Sequence, residues 1–183
     1  MTQIGLDQLG IDLKWDYDKQ EVLLSMDGYV EAALKEFEHM IPKQIHHGPS
    51  KVERPDYGAK IQYVQEDNTS PLTPEEITYI KQVTGKFLFY GRGVDITMQH
   101  VLNDIAIAST NGTTATMAAT KHFLNYAACN QDASIRYQAS DMILNVVSDA
   151  AYLVCPQARS SRAGGYHYLG NKDGNYSTQQ YLY

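Results

Sequence analysis

The spacing of the apolar residues changes period twice along this chain, and this change constrains the fold more than any other feature. Near both ends, short runs of apolar residues alternate with polar ones or form β-prone stretches, as strands do. Between residues 74 and 128, apolar residues instead recur every three or four positions, which is typical of amphipathic helices. The sequence therefore predicts an α+β fold with an N-terminal β-hairpin, a central helical cluster and a short C-terminal antiparallel sheet.

The first predicted element is a β-hairpin. Leu9, Ile11 and Leu13 share one side of an extended strand, the polar run 16–20 supplies a turn, and residues 22–24 resume an apolar strand. A helix follows, and it is expected to start at a cap provided by a polar side chain and to end at a proline. Ser25 or Asp27 is the predicted cap, Pro42 the predicted end, and the apolar stripe is Val30, Ala33, Leu34, Phe37 and Ile41.

The clearest local signal is a capping box at the start of the central helices. Thr73 stands at the N-cap, Pro74 at the first helical position and Glu76 three residues after the cap. Asp95 or Thr97 is predicted to start the next helix, and Thr113 the one after it. We expect the apolar faces of these helices to pack against one another.

Strand patterns return near the C-terminus at residues 135–137, 142–152 and 164–169, the last two as antiparallel neighbours. The chain is thus divided into four parts. They are a hairpin at 1–27, a helical region at 28–130 with a connecting loop at 42–72, a β segment at 131–171 and a flexible tail at 172–183.

Charge argues against a free-standing nucleic-acid binder. The formal net charge is −6, and residues 1–38 carry all of it, with nine acids against three lysines. Proteins that bind nucleic acid alone usually have a basic excess, because counterion release supplies much of their affinity. Contact with nucleic acid would therefore be local, or made within a larger assembly.

Asp149 is the candidate for metal-dependent phosphoryl chemistry. It lies in the β-prone run 142–152, where a buried charge would be costly unless it served a function or stood at the strand end. Two-metal chemistry needs several carboxylates around ions ~3.5–4 Å apart, yet only Asp173 follows it among the acids, within the predicted tail. The residue types leave both roles of Asp149 open, and Mg²⁺ or Mn²⁺ is expected only if the site is completed.

Other side chains give no metal or redox site. Adjacent histidines at positions 46 and 47 have no third ligand at a suitable spacing, so a solvated loop is the better interpretation. Cys129 and Cys155 also lack metal-ligand spacing, which favours reduced thiols. The first seven residues contain no basic region followed by an apolar run, so we expect an intracellular protein of the cytoplasm or nucleus, with no membrane partner.

Four stretches, taken in order, resemble the C-terminal part of the reverse transcriptase of copia-type long-terminal-repeat retrotransposons, over about residues 6–173. They are Leu9–Leu13 with Leu24–Val30, Thr84–Tyr90 with Arg92–Asp95, His122–Tyr126, and Ser148–Tyr152 with Arg159–Leu169. The first resembles the end of the palm and the start of the thumb, the second the thumb signature, and the fourth the opening two strands of ribonuclease H.

The resemblance implies binding to an RNA–DNA or DNA duplex as part of a polyprotein. It assigns Lys86 and Arg92 to phosphate contacts, Trp15 or Tyr17 to primer positioning, and Asp149 to the first ribonuclease H carboxylate. The polymerase Tyr-x-Asp-Asp motif is missing, since the chain has no Asp-Asp pair, and the later ribonuclease H carboxylates are missing, since only Asp173 follows Asp149 among the acids. Catalysis by this chain alone is therefore not expected.

Two alternatives remain open. One is a retained binding or scaffold module, in which the open edge of an incomplete sheet pairs with another polyprotein segment or a second copy. The other is a metal-dependent nuclease completed by oligomerisation around Asp149.

Overall fold

A computed structural model describes residues 4–8, 10–51, 67–152, 161–172 and 178–181, and within them the chain has the predicted α+β composition. The strands are β1 Ile4–Gln8, β2 Ile11–Asp16, β3 Glu21–Ser25, β4 Ser134–Gln138, β5 Ile143–Ala151, β6 Arg162–Gly170 and β7 Thr178–Tyr181. The helices are α1 Tyr29–Glu36, α2 Pro74–Gly93, α3 Gln99–Ala108 and α4 Thr114–Cys129. No helix of the described ranges combines the length and the apolar character that crossing a bilayer requires.

The predicted hairpin is confirmed as β2 and β3, which pair antiparallel and lie inside a five-stranded sheet of order β1-β2-β3-β4-β7. Its turn is closed by a hydrogen bond from the Lys19 backbone N–H to the Asp16 carboxylate (3.1 Å), and Gln20 adopts a left-handed φ of 55°. Ile11 and Leu13 share one face of β2, as the alternation predicts. Leu9 lies outside the described residues.

Two segments occupy different places from those expected. The sequence pattern places the strand around Ile135 in the C-terminal β segment, but this strand pairs with β3 of the hairpin, opposite Leu24. The pattern predicts a flexible tail for residues 178–181, but they form β7 beside β4. Both differences follow from pairing between strands that lie far apart in the sequence, where no short turn specifies which strand is the partner.

The first helix starts without the side-chain cap that the sequence suggested. Its N-cap is Gly28, in a left-handed conformation with φ of 76°, and neither Ser25 nor Asp27 is the N-cap residue. The Tyr29 N–H instead donates to the Met26 carbonyl (3.1 Å), so a tight turn leads into the helix. Glycine suits this position because a left-handed φ carries no Cβ penalty there.

The same helix ends earlier than its apolar stripe. Glu38, with φ of 51°, follows the last turn, and its N–H donates to the Lys35 carbonyl (3.1 Å). The His39 N–H reaches back to the Leu34 carbonyl (2.9 Å). These two bonds are the Schellman arrangement, which stops the helix before Pro42. Ile41 is consequently 70% exposed and is not part of the core.

Helices α2 and α4 begin where the sequence predicts, whereas α3 begins at Gln99, later than the start predicted at Asp95 or Thr97, because a 3₁₀ turn comes first. Thr73 and Glu76 form the reciprocal capping box of α2, and Thr113 caps α4 in the same way with Thr116. The Asp95 side chain caps the 3₁₀ turn Ile96–Met98 that precedes α3. These helices share one core with α1. The residues at its centre are fully or almost fully buried: Val30, Ile80, Val83, Phe87, Tyr90, Met98, Leu102, Phe123 and Leu124.

A buried tyrosine ties the helices to the start of β4. The Tyr90 hydroxyl donates to the Gln131 carbonyl (3.1 Å) and accepts from the Ala133 backbone N–H (3.2 Å). Burial raises the pKa of this phenol far above its usual value, so it stays neutral and keeps both roles. The bonds hold the chain at the point where it leaves α4 and enters the sheet.

Replacing Gly85 by alanine should raise the free energy of unfolding by about 0.5–1 kcal/mol, because glycine inside a helix costs that much backbone entropy. Gly85 is exposed within α2, and a Cβ there meets nothing within 4 Å. Urea unfolding checks the change. Gly112→Ala is the control without a gain, since its Cβ would lie 3.1 Å from Ile77 Cγ1 and 3.4 Å from Leu72 Cδ1. Equal stabilisation by both variants would contradict this account.

Strands β5 and β6 form a separate two-stranded antiparallel sheet, as the sequence predicts, within a unit of residues 52–68 and 139–178. The Asp141 N–H donates to the Asn171 side chain (3.1 Å), and the Lys172 N–H donates to the Asp141 carboxylate (3.2 Å). These bonds join the two chain segments just beyond the last strand pair, Ile143 with Gly170. Leu144 and Val146 on one face of β5 are 64% and 54% exposed, and Val147 on the other face is 54% exposed.

Candidate nucleic-acid interface

Lys86, one of the two predicted phosphate contacts, is held by α1. Its ammonium donates to Glu36 Oε2 at 2.6 Å, and it lies 5.9 Å from the centre of the Tyr29 ring. The hydrogen bond to Glu36 raises the pKa of the Lys86 ammonium. The Tyr29 hydroxyl also donates to the Lys86 carbonyl (2.9 Å), which fixes α1 against this turn of α2. The charge of Lys86 is therefore partly neutralised where the helix faces solvent.

Arg92, the other predicted phosphate contact, is exposed in the last turn of α2. At the neighbouring Gly93, a Cβ would lie 3.1 Å from Met26 Cε and 4.0 Å from Ile11 Cδ1, so this end of the helix abuts the start of β2. Arg92 therefore projects from the point where the helical cluster meets the sheet. Lys86 is six residues earlier, about 9 Å along the helix and on a different face.

Trp15 and Tyr17 lie farther along the hairpin. Trp15 is half-buried on the apolar face of β2 opposite Val22, about 13 Å along the strand from Ile11. Tyr17 is 62% exposed in the following turn. Within the described ranges, no hydrogen bond, ion pair or ring contact joins any two of the four candidates Lys86, Arg92, Trp15 and Tyr17. They do not form one pocket. Arg92, at the junction of α2 and β2, and Trp15 and Tyr17, on β2 and in its turn, are called the candidate strip.

Asp149 is exposed on β5, which removes the argument that a costly buried charge implies a function. It stands opposite Gly164, and one of its carboxylate oxygens accepts from the Ala150 N–H (2.8 Å). On its face of the strand pair, its nearest neighbours in β5 are Val147 and Ala151. The part of the chain that the structure describes contains no group of three His, Cys, Asp or Glu side chains that could hold a metal ion.

The adjacent histidines occupy a segment without regular structure, as predicted, but His46 is half-buried rather than solvated. Its ring meets the His122 ring edge to face, with centroids 4.9 Å apart, and its carbonyl accepts from the Asn130 amide (3.3 Å). His122 Nε2 donates to the Gly48 carbonyl (3.1 Å), whereas His47 is exposed. These groups fasten the segment to α4.

Sequence reasoning missed the acidic partner of Lys86. Glu36 is 50 positions away, and no spacing rule connects the end of one helix to the middle of another. The only related signal in the sequence is the acidic excess of residues 1–38, in which Glu36 and Glu38 are the last two acids. The missed pair changes how Lys86 can act, because a phosphate must compete with a carboxylate already bound to it.

Comparisons of the chain with models of protein families, with curated proteins and with solved structures gave no significant match.

Proposed function

We propose that this chain is part of the reverse transcriptase of a copia-type retrotransposon and that its sheet and helical cluster bind the primer–template duplex. The proposal rests first on the sequence motifs, which resemble that family in four stretches and in tandem order. The elements found along the chain are those that the resemblance leads one to expect: a hairpin, a helical cluster and a pair of antiparallel strands.

The position of Arg92 is the observation that carries the binding part of the proposal. An exposed guanidinium at the junction of α2 and β2 can reach a phosphate while the flanking helix and strand remain rigid. Trp15 and Tyr17 lie along the same hairpin strand and its turn, within the span of a few nucleotides. We assign the RNA–DNA hybrid to the candidate strip and assign no catalytic step to Asp149 or to Mg²⁺ or Mn²⁺.

Lys86 can contact a phosphate only in competition with the Glu36 carboxylate. Its ammonium is bonded to Glu36, so a phosphate gains less from it than from an unpaired lysine. Glu36→Gln would remove the competing charge and leave Lys86 in place. The expected direction is a gain in duplex affinity, opposite to the loss on removing the lysine itself.

Replacing Arg92 by alanine should weaken binding of a fluorescently labelled RNA–DNA hybrid by about three- to tenfold, because one charge-assisted phosphate contact is lost. Fluorescence anisotropy at low salt measures the affinity. Lys121→Ala is the matched control, since it removes an exposed cation from α4, outside the candidate strip. The proposal is wrong if Arg92→Ala and Lys121→Ala have the same effect, or if wild-type protein does not bind the hybrid.

A second candidate function is a binding or scaffold module, favoured by the apolar side chains exposed on both faces of the β5–β6 pair. A two-stranded sheet is marginally stable alone, so a partner that covers it would be stabilising. A stable oligomer in sizing experiments together with no affinity for the hybrid would favour this function over the first.

A further inference from the structure

A groove opens where the end of α1 faces the middle of α2. It has a volume of about 480 Å³ and is lined by Glu36, Phe37, Glu38, Tyr79, Gln82 and Lys86. We propose that this groove binds the guanidinium group of an arginine side chain presented by a basic peptide segment. This site goes beyond duplex binding and does not depend on it.

The charge of the groove favours a cation. Two carboxylates, of Glu36 and Glu38, face one ammonium, of Lys86, so the lining has a formal charge of −1. The groove also lies beside the C-terminal end of α1, which carries a partial negative charge. This excess of negative charge attracts a cationic side chain.

The shape and chemistry of the walls favour a planar cation with several donors. The rings of Phe37 and Tyr79 meet edge to face with centroids 5.7 Å apart, which gives the groove an aromatic side. Guanidinium stacks on aromatic faces and presents five donors in a fixed fork. Glu36 can receive one of them at Oε1, since its Oε2 already accepts from Lys86, and the Gln82 and Tyr79 oxygens can accept others. A lysine ammonium would use fewer of these acceptors.

The groove already holds a cation of the protein itself. Lys86 donates to Glu36 at 2.6 Å and lies 5.9 Å from the centre of the Tyr29 ring, so the carboxylate and an aromatic face already act together on a positive charge. An incoming guanidinium shares Glu36 with Lys86 and is repelled by it. Lys86 therefore acts as an internal competitor, and removing it should strengthen binding of the peptide.

The test uses the full chain and the peptide acetyl-Gly-Arg-Gly-amide, with the uncharged citrulline peptide as the matched ligand control. Chemical-shift titration measures both affinities. We expect the arginine peptide to bind more tightly than the citrulline peptide. Glu36→Gln should weaken the affinity for the arginine peptide about three- to fivefold, and Lys86→Met should strengthen that affinity by a similar factor. Glu31→Gln, which removes the same charge from α1 outside the groove lining, should leave the affinity unchanged.

Equal binding of the arginine and citrulline peptides would overturn the proposal, as would equal losses in Glu36→Gln and Glu31→Gln. Both glutamates are exposed, and circular dichroism verifies that the variants remain folded. The same variants separate this site from duplex binding. Glu36→Gln should weaken binding of the peptide and strengthen binding of the hybrid, so either proposal can fail while the other stands.

Discussion

Phe123→Ala should lower the free energy of unfolding by about 3–5 kcal/mol, the usual cost of removing a fully buried phenylalanine. Phe123 is 0% exposed on α4, and its ring meets the Phe87 ring of α2 edge to face, with centroids 5.1 Å apart. Alanine would therefore remove an aromatic pair and leave a cavity between two helices. Chemical denaturation followed by circular dichroism measures the loss.

Phe89→Ala is the matched control for this prediction. Phe89 lies two residues from Phe87 on the same helix, but it is 47% exposed, and its ring centroid lies 5.9 Å from that of Tyr29, a partly buried residue beside the core. We expect its removal to cost about 1 kcal/mol or less, since partly exposed side chains gain less from burial. Losses of equal size at Phe123 and Phe89 would show that the helical cluster is not the core of this chain.

Features set by neighbouring residues were predictable from the sequence. The capping box at Thr73 and the side-chain caps at Thr113 and Asp95 each depend on a side chain and a backbone N–H two or three positions away. A short stretch of sequence is therefore enough to predict each of these caps. The antiparallel pairing of β5 with β6 was also predictable, because two β-prone runs close to each other in sequence tend to pair.

Features set by distant residues were not predictable. The partner of Val22 is Tyr137, on a strand more than a hundred positions later, and no local pattern specifies that register. The end of α1 was missed for a different reason. The apolar stripe reaches Ile41 with good helical spacing, but spacing does not show that Glu38 will adopt a left-handed conformation and stop the helix.

In the candidate site, too, some features were predictable from the sequence and others, set by distant residues, were not. Its residues could be named from the resemblance, and the exposure of Arg92 and Tyr17 agrees with a role at the surface. The ion pair that restrains Lys86 could not be named, because it joins two helices separated by the connecting loop. An apolar run around Asp149 suggested a buried strand, yet hydrophobicity alone does not show what covers a strand, and β5 is exposed.

The salt dependence of hybrid binding is the second large effect that the account predicts. If Lys86 and Arg92 each contact one phosphate, the affinity should fall about tenfold between about 50 and about 200 mM salt, because counterions are released from two phosphates. The same measurement on Arg92→Ala should give a smaller slope, reduced by about one phosphate. Both values are set by the number of cations that contact phosphates, because each such cation releases counterions.

Anisotropy titration of a labelled RNA–DNA hybrid across this salt range therefore tests the central claim most directly. The account predicts affinity that falls about tenfold in the wild type and clearly less in Arg92→Ala. Affinity that stays constant across the range would mean that no phosphate is neutralised by this chain, and duplex binding by the sheet and helical cluster would have to be abandoned.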